Sequence, residues 1–251
     1  MNAASALLSA RSLDKRFGAV VAADSVSIDI AAGEHVSLIG SNGAGKTTFV
    51  NMITGYLKPD AGQIHFDGRD ITAFGPRRIT QLGMARSFQI PQLCAELSVE
   101  DNMLVAAACG DGELSFWRSA HTRALRERAH SLLERFALAQ HARRRVAELP
   151  GGVRKLLDIA MALTHQPKLL LLDEPTSGVS VDEKFPMMDT VMAAIGGEPI
   201  TVLFVEHDMD IVARYSSRVI AFYSGRILAD GIAASVMANH EVKRHVTGTA
   251  R

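Results

Sequence analysis

Gly40-Ser41-Asn42-Gly43-Ala44-Gly45-Lys46-Thr47 is the stretch on which the fold turns. It stands between the apolar run His35–Ile39, which reads as a buried strand, and residues 47–54, which look helical. Strand, glycine-rich loop and helix form the order that a phosphate cradle requires. Glycines let backbone N–H groups curl around an anion with no side chain in the way, and the helix N-terminus adds its positive dipole. In such a cradle Lys46 reaches the β- and γ-phosphates of a nucleotide, the Thr47 hydroxyl ligates Mg²⁺, and Thr48 holds the α-phosphate side. A chance glycine-rich turn would need neither the strand before it nor the helix after it.

Working outward, Val26, Ile28 and Ile30 alternate with Ser27 and Asp29, the period of a half-buried strand. Residues 63–67 alternate again and close on Asp67-Gly68, a strong turn pair. The middle of the chain changes character. From Ser98 to about Leu163 the patterns are helical, opened by Ser98-Val99-Glu100-Asp101, which matches an N-cap box. Leu125, Ala129, Leu132, Leu133 and Phe136 then recur at three- and four-residue spacing as one apolar stripe. Residues 169–172 and 202–205 are continuous apolar runs of strand length on either side of a helical-looking 182–195. Such runs alternating with helices indicate a parallel sheet covered on both faces. Residues 218–223 and 226–229 flank Ser224-Gly225 and read as a hairpin. The expected architecture is an α/β core interrupted by a helical insertion.

The second chemical feature lies at the end of the run 169–172, where Asp173 and Glu174 follow four leucines. An acidic residue at the C-terminal end of a parallel strand sits where α/β sheets bind ligands. Asp173 is expected to hold the Mg²⁺ hydration shell, and Glu174 to orient and deprotonate an attacking water. An apolar run ending in two carboxylates is by itself a common strand end; the phosphate loop upstream gives it meaning.

Composition sets the limits. Among 251 residues, 27 basic and 27 acidic side chains cancel, so no global charge argues for nucleic acid as a partner. Cys94 and Cys109 lack metal-ligand spacing, which disfavours a zinc site or disulfide scaffold and fits a reducing compartment. Residues 1–10 make a poor signal peptide, and no apolar stretch approaches the roughly 20 residues that span a bilayer. Work at a membrane would therefore depend on a partner. No Asn-Lys-x-Asp motif for reading guanine occurs.

Further positions complete an ordered set. Gln89 follows the strand-like residues 84–88, Leu149-Pro150-Gly151-Gly152-Val153 opens a helix before Asp173, and His207 follows residues 202–205. Together with the phosphate loop and Asp173-Glu174, they resemble the ATP-binding subunit of an ABC transporter: Walker A, Q-loop, signature, Walker B, D-loop and H-loop in sequence. Leu13-Asp14-Lys15-Arg16-Phe17-Gly18, Ala85-Arg86-Ser87-Phe88-Gln89 and Val205-Glu206-His207-Asp208-Met209 look most like the branched-chain, or hydrophobic, amino-acid importers. Residues 109–123 look like the extra segment found there.

The resemblance implies a P-loop NTPase (RecA-like) core with an N-terminal antiparallel β subdomain and an inserted α-helical subdomain at roughly 90–165, within one ATP-binding domain over 6–249. It implies ATP and Mg²⁺ as cofactors, held by Gly40, Ser41, Asn42, Gly43, Ala44, Gly45, Lys46, Thr47 and Thr48. Phe17 stacks on adenine, Gln89 contacts Mg²⁺ or the attacking water, and His207 hydrogen-bonds the γ-phosphate. Gly151 and Gly152 face the nucleotide of a second subunit. The implied partners are transmembrane permease subunits, a second ATPase subunit, and indirectly a solute-binding protein outside the cell. The implied location is the cytoplasmic face of the plasma membrane, and the implied work is import of a branched-chain or other hydrophobic amino acid.

Two departures stand out. Pro150 occupies the serine position of the family's Leu-Ser-Gly-Gly-Gln and offers neither a hydroxyl nor a backbone N–H. Ser180 stands where the D-loop commonly carries aspartate. These changes leave open a catalytically weak regulatory subunit of a heterodimeric pair, and the shared motifs leave open an ABC ATPase outside transport. Residues 118–145 carry eight arginines against Glu127 and Glu134, about +6. That stretch reads as a solvated helix face or as a contact for acidic lipid or a permease loop.

Overall fold

The structure, a computed structural model, describes residues 6–110 and 123–248. The chain falls into two compact units, one running to Leu82 and resuming at Pro199, the other formed by Gly83–Glu198.

Unit one opens with β1 (Leu8–Phe17) and β2 (Val20–Ile30), an antiparallel pair in which Leu8 faces Ile30 and Phe17 faces Val20. Val26, Ile28 and Ile30 are buried while Ser27 and Asp29 are exposed, as the alternation predicts. Next come β3 (His35–Ile39), α1 (Lys46–Ile53), β4 (Ala61–Phe66), β5 (Arg69–Asp70) and α2 (Pro76–Gln81). Asp67 and Gly68 both take positive φ, the conformation of a two-residue hairpin turn. The antiparallel sheet runs β2-β1-β4-β5.

Unit two carries β6 (Met84–Ser87), α3 (Val99–Gly110), α4 (Arg123–Arg135), α5 (Gly151–Ala162), β7 (Leu169–Asp173) and α6 (Val181–Ile195). Strands β6 and β7 are parallel, with Ser87 beside Leu172. All four leucines of β7 are fully buried, so the uninterrupted apolar run is a strand covered on both faces. Ser98 caps α3: its Oγ accepts from the Asp101 amide at 3.0 Å. Ala129, Leu132, Leu133 and Phe136 are buried along one stripe. Of the arginine-rich stretch, Arg123 pairs with Glu127 and Arg135 with Glu198, each at 2.7 Å. Arg128 and Arg144 donate to the carbonyls of Thr164 and Glu148. Much of that charge is thus bonded within the unit. Arg118 and most of the expected extra segment lie outside the described residues.

Unit one then resumes with β8 (Thr201–Val205), α7 (Met209–Tyr215), β9 (Arg218–Tyr223), β10 (Arg226–Ile232), α8 (Ala233–Ala238) and α9 (His240–Val242). Strand β3 lies between β8 and β9 and is parallel to both, while β10 returns antiparallel to β9. Ile39, Val212, Val219, Ala221, Val236 and Val242 pack together beneath this sheet. Among the described residues, no helix is long and apolar enough to cross a membrane. Both cysteines are free and exposed.

Candidate functional site

In unit one the glycine loop leaves the buried β3 and ends where α1 begins. Its shape is set by what a side chain would strike. Gly45 has φ +107°, and a Cβ there would lie 2.5 Å from the Ala22 carbonyl oxygen; at Gly40 it would lie 2.6 Å from that of Phe222. The β9–β10 turn braces the loop from outside: the Gly225 amide donates to the Ala44 carbonyl at 2.9 Å, and the Gly225 carbonyl accepts from the Asp24 amide at 2.9 Å. No side chain caps the N-terminus of α1, so its first amides remain directed toward the loop. Lys46 is nearly buried, and its Nζ donates to the carbonyls of Gly40 at 2.5 Å and Ser41 at 3.1 Å. A cationic group and helix amides around a curled backbone can hold a polyphosphate.

His207 follows β8, which runs parallel to β3 with Val205 beside Leu38, so His207 and the glycine loop leave the same edge of this sheet. His207 is exposed. The wholly buried Glu206 shapes the turn beside it by accepting from the amides of His207 at 3.1 Å and Asp208 at 3.4 Å. Phe17 ends β1 with half its surface exposed, and Lys15 Nζ stands 5.8 Å from the ring centre.

Unit two brings its predicted residues together. Because β6 and β7 run parallel, Gln89 and Glu174 emerge from the same edge, and Gln89 Nε2 donates to Glu174 Oε2 at 2.7 Å. Glu174 adopts φ +47°, the left-handed region that a non-glycine residue occupies only under constraint. Asp173 is 8% exposed, and its carboxylate accepts from Arg86 Nη2 at 2.5 Å. The hydroxyl of Thr47 in unit one and the carboxylate of Asp173 in unit two are each, by themselves, hard oxygen donors of the kind magnesium prefers.

Gly151 and Gly152 begin α5, with Pro150 as its N-cap residue. Among the described residues, nothing outside the adjoining backbone stands within 4 Å of a Cβ built at either glycine, and neither has positive φ, so neither backbone nor packing demands glycine there. A cleft of about 360 Å³ in this unit is lined by Gln89, Ile90, Gly151, Arg154, Lys155 and Ser177, among others.

Arg86 and Asp158 escaped the sequence reading as functional groups, and Lys155, like Arg154, reads from sequence only as positive charge near Gly151 and Gly152. Arg86 sits in a short strand, where a charged residue inside an otherwise apolar element was the available signal. Lys155 and Asp158 lie on the buried side of α5, three residues apart. Charge at core spacing marks them in retrospect.

Comparisons with known proteins identify the family. The sequence pattern of the ABC transporter family matches residues 23–177. The high-affinity branched-chain amino acid transport ATP-binding protein LivG of Escherichia coli K12 is 34% identical, over 97% of this chain and 98% of its own. Its probable counterpart in Methanocaldococcus jannaschii is 34% identical, over 90% and 89%. A solved ATP-binding cassette of an ABC transporter in its ADP conformation superposes with a TM-score of 0.85 at 32% identity, over 95% of this chain and 97% of the other. A nucleotide-free cassette gives 0.84 at 31% identity, over 94% and 97%. Cassettes of this family dimerise and work with transmembrane permease subunits. The phosphate loop of unit one, the acidic strand end of unit two and these likenesses lead to one assignment: the chain belongs to the ABC transporter family, as an ATP-binding and ATP-hydrolysing cassette.

Proposed function

We propose that this cassette powers import of branched-chain or other hydrophobic amino acids from the cytoplasmic face of the plasma membrane. Near full-length similarity to relatives named for branched-chain amino acid transport supports that solute class. In this reading the two units form one ATP-binding domain over residues 6–249. Its partners are permease subunits, a second ATPase subunit and, indirectly, a solute-binding protein.

The observation that carries the catalytic assignment is the 2.7 Å hydrogen bond from the Gln89 amide to Glu174, a carboxylate held in a left-handed backbone at a strand end. Lys46 and the amides of Gly40, Ser41, Asn42, Gly43, Ala44 and Gly45 hold the β- and γ-phosphates, Thr48 holds the α-phosphate side, and Phe17 stacks on the adenine. Thr47, Gln89 and Asp173 would hold magnesium, which when bound would supply positive charge against the negative charge of the phosphates. Glu174 orients the attacking water and takes its proton as the oxygen bonds to the γ-phosphorus and ADP departs. His207 donates to a γ-phosphate oxygen. Replacing Glu174 by Gln preserves shape and removes the base. We expect ATP to bind with wild-type affinity and turnover to fall at least 100-fold, and sustained hydrolysis would refute Glu174 as the base.

Gly151 and Gly152 serve the nucleotide of the partner subunit. Their openness, required by nothing in this chain, suits close approach from outside it. Pro150 beside them weakens that second site, which favours a heterodimer with one strong and one weak site. Equal hydrolysis at both sites, resolved by Glu174→Gln and the matching partner variant, would argue against this asymmetry.

A further inference from the structure

Residues 87–92, which begin at the last residue of β6 and include Gln89, are fastened to α5 by two buried side chains of opposite charge. Lys155 is 3% exposed and Asp158 is 7% exposed. Lys155 Nζ donates to the carbonyl of Gln89 at 2.7 Å and of Phe88 at 3.1 Å. Asp158 Oδ2 accepts from Ser87 Oγ at 2.5 Å, and its Oδ1 accepts from the Gln92 amide at 3.0 Å. The lysine thus takes two carbonyls of the segment, while the aspartate takes a hydroxyl and an amide. Four polar groups of one short stretch end on one turn of α5.

Stability alone is a poor reason for this arrangement. Burial pushes the Asp158 carboxyl above its ordinary value, with Ser87, Gln92 and Lys155 opposing that push. Buried ion pairs are often matched or bettered by apolar residues of the same volume. What the pair does supply is geometry. The same segment carries the Gln89 amide that donates to Glu174, and the same helix begins at Gly151 and Gly152.

We infer that Lys155 and Asp158 are positioning residues that make α5 and residues 87–92 one mechanical piece, so that a displacement at the start of α5 reaches the Gln89–Glu174 hydrogen bond. This inference rests on the catalytic reading of Gln89 and Glu174, and its test separates the two.

The test uses the full chain assembled with its native partner subunits. Steady-state ATP hydrolysis and nucleotide affinity are compared for Lys155→Met, Gln89→Ala and the double variant, alongside amide hydrogen exchange across the chain. Lys155→Met is expected to lower kcat about tenfold with ATP affinity within twofold, and to speed exchange at the Gln92 amide about tenfold while β7 stays protected. The double variant should lose no more than the worse single one, because both act through the same amide. Losses that multiply, or a folded Lys155→Met with wild-type kcat, overturn the inference. If Lys155→Met does not fold, Ser87→Ala removes one bond and no buried charge. It should speed Gln92 exchange and lower kcat by a smaller factor, and no change in either overturns the link. Wild-type kcat in Gln89→Ala would instead remove the catalytic reading, and Gln92 exchange alone would then decide whether α5 holds the segment.

Discussion

The glycine loop of unit one and the Gln89 segment of unit two are both irregular backbone leaving the end of a parallel strand, yet they are held in opposite ways. The loop is shaped by missing side chains: Gly40 and Gly45 sit against the carbonyls of Phe222 and Ala22, and backbone bonds from the β9–β10 turn close over Ala44. The Gln89 segment is shaped by side chains reaching in from a helix more than sixty residues away in sequence, with Lys155 and Asp158 on its backbone. The side chain that ties the loop, Lys46 to the carbonyls of Gly40 and Ser41, belongs to the helix that directly follows it, so the loop is tied within its own surroundings. A backbone held by a buried charge pair shifts when the helix carrying that pair shifts. The first suits a fixed phosphate seat and the second a segment that answers to another element.

The largest effect that sharpens this contrast is expected at Arg86. Its pairing with Asp173 is almost wholly buried, with side-chain exposures of 9% and 11%. Arg86→Met keeps the volume and strands the carboxylate, a change that costs about 3–5 kcal/mol in buried pairs. Urea unfolding followed by a probe in β7 should show the midpoint fall with its slope kept. A loss below about 1 kcal/mol would mean that charge pairs do not hold unit two as they hold the Gln89 segment.

Next in size comes Gly45→Ala, which places a methyl carbon 2.5 Å from the Ala22 oxygen at a φ of +107°. The loop must shift, so ATP affinity is expected to fall about 100-fold, roughly 2.7 kcal/mol. Hydrogen exchange in α5 should stay at its wild-type rate. Calorimetric titration with ATP measures the first and exchange the second. Wild-type affinity would break the claim that missing side chains shape the phosphate seat.

The same contrast explains what the sequence disclosed. Gly40, Gly45 and Lys46 act over a few residues, so their spacing carries the geometry and the loop could be read directly. The strands 35–39, 169–172 and 202–205 were legible because burial on both faces leaves an unbroken apolar run. Ser98 and Asp101 were legible because a cap is a three-residue affair. Gln89 could be named only from its place in an ordered set, whereas Glu174 was legible from the acidic end of an apolar run downstream of the phosphate loop. Their hydrogen bond spans 85 positions, and no local pattern encodes it. Asp158 was passed over, and Lys155 was read only as charge near Gly151 and Gly152, because a lysine and an aspartate three apart on a helix ordinarily face water, and only the packed helix shows them turned inward. The bulk of the arginine-rich stretch was legible as charge but not as pairing, since Glu198 lies far from Arg135 in sequence.

The smallest effect expected is a pH response confined to the side-chain clamp. Burial raises the Asp158 carboxyl above its ordinary 3.8, so the folded chain holds that proton more tightly than the unfolded chain does. Stability from this group is therefore fully present below the unfolded value and fades as pH rises through the higher folded value. Asp158→Asn removes the titration while keeping an acceptor. The stability of wild type minus that of the variant should accordingly grow as pH falls through the folded value toward 3.8, whatever the other carboxylates do, because they are common to both chains. Denaturant unfolding of both proteins at matched pH steps measures that difference. The same comparison between wild type and Gly45→Ala should be flat across the window, since no titrating group was changed. A flat difference for Asp158→Asn as well would mean that Lys155 and the bonds from Ser87 and Gln92 fully offset burial, and that both regions are equally indifferent to pH.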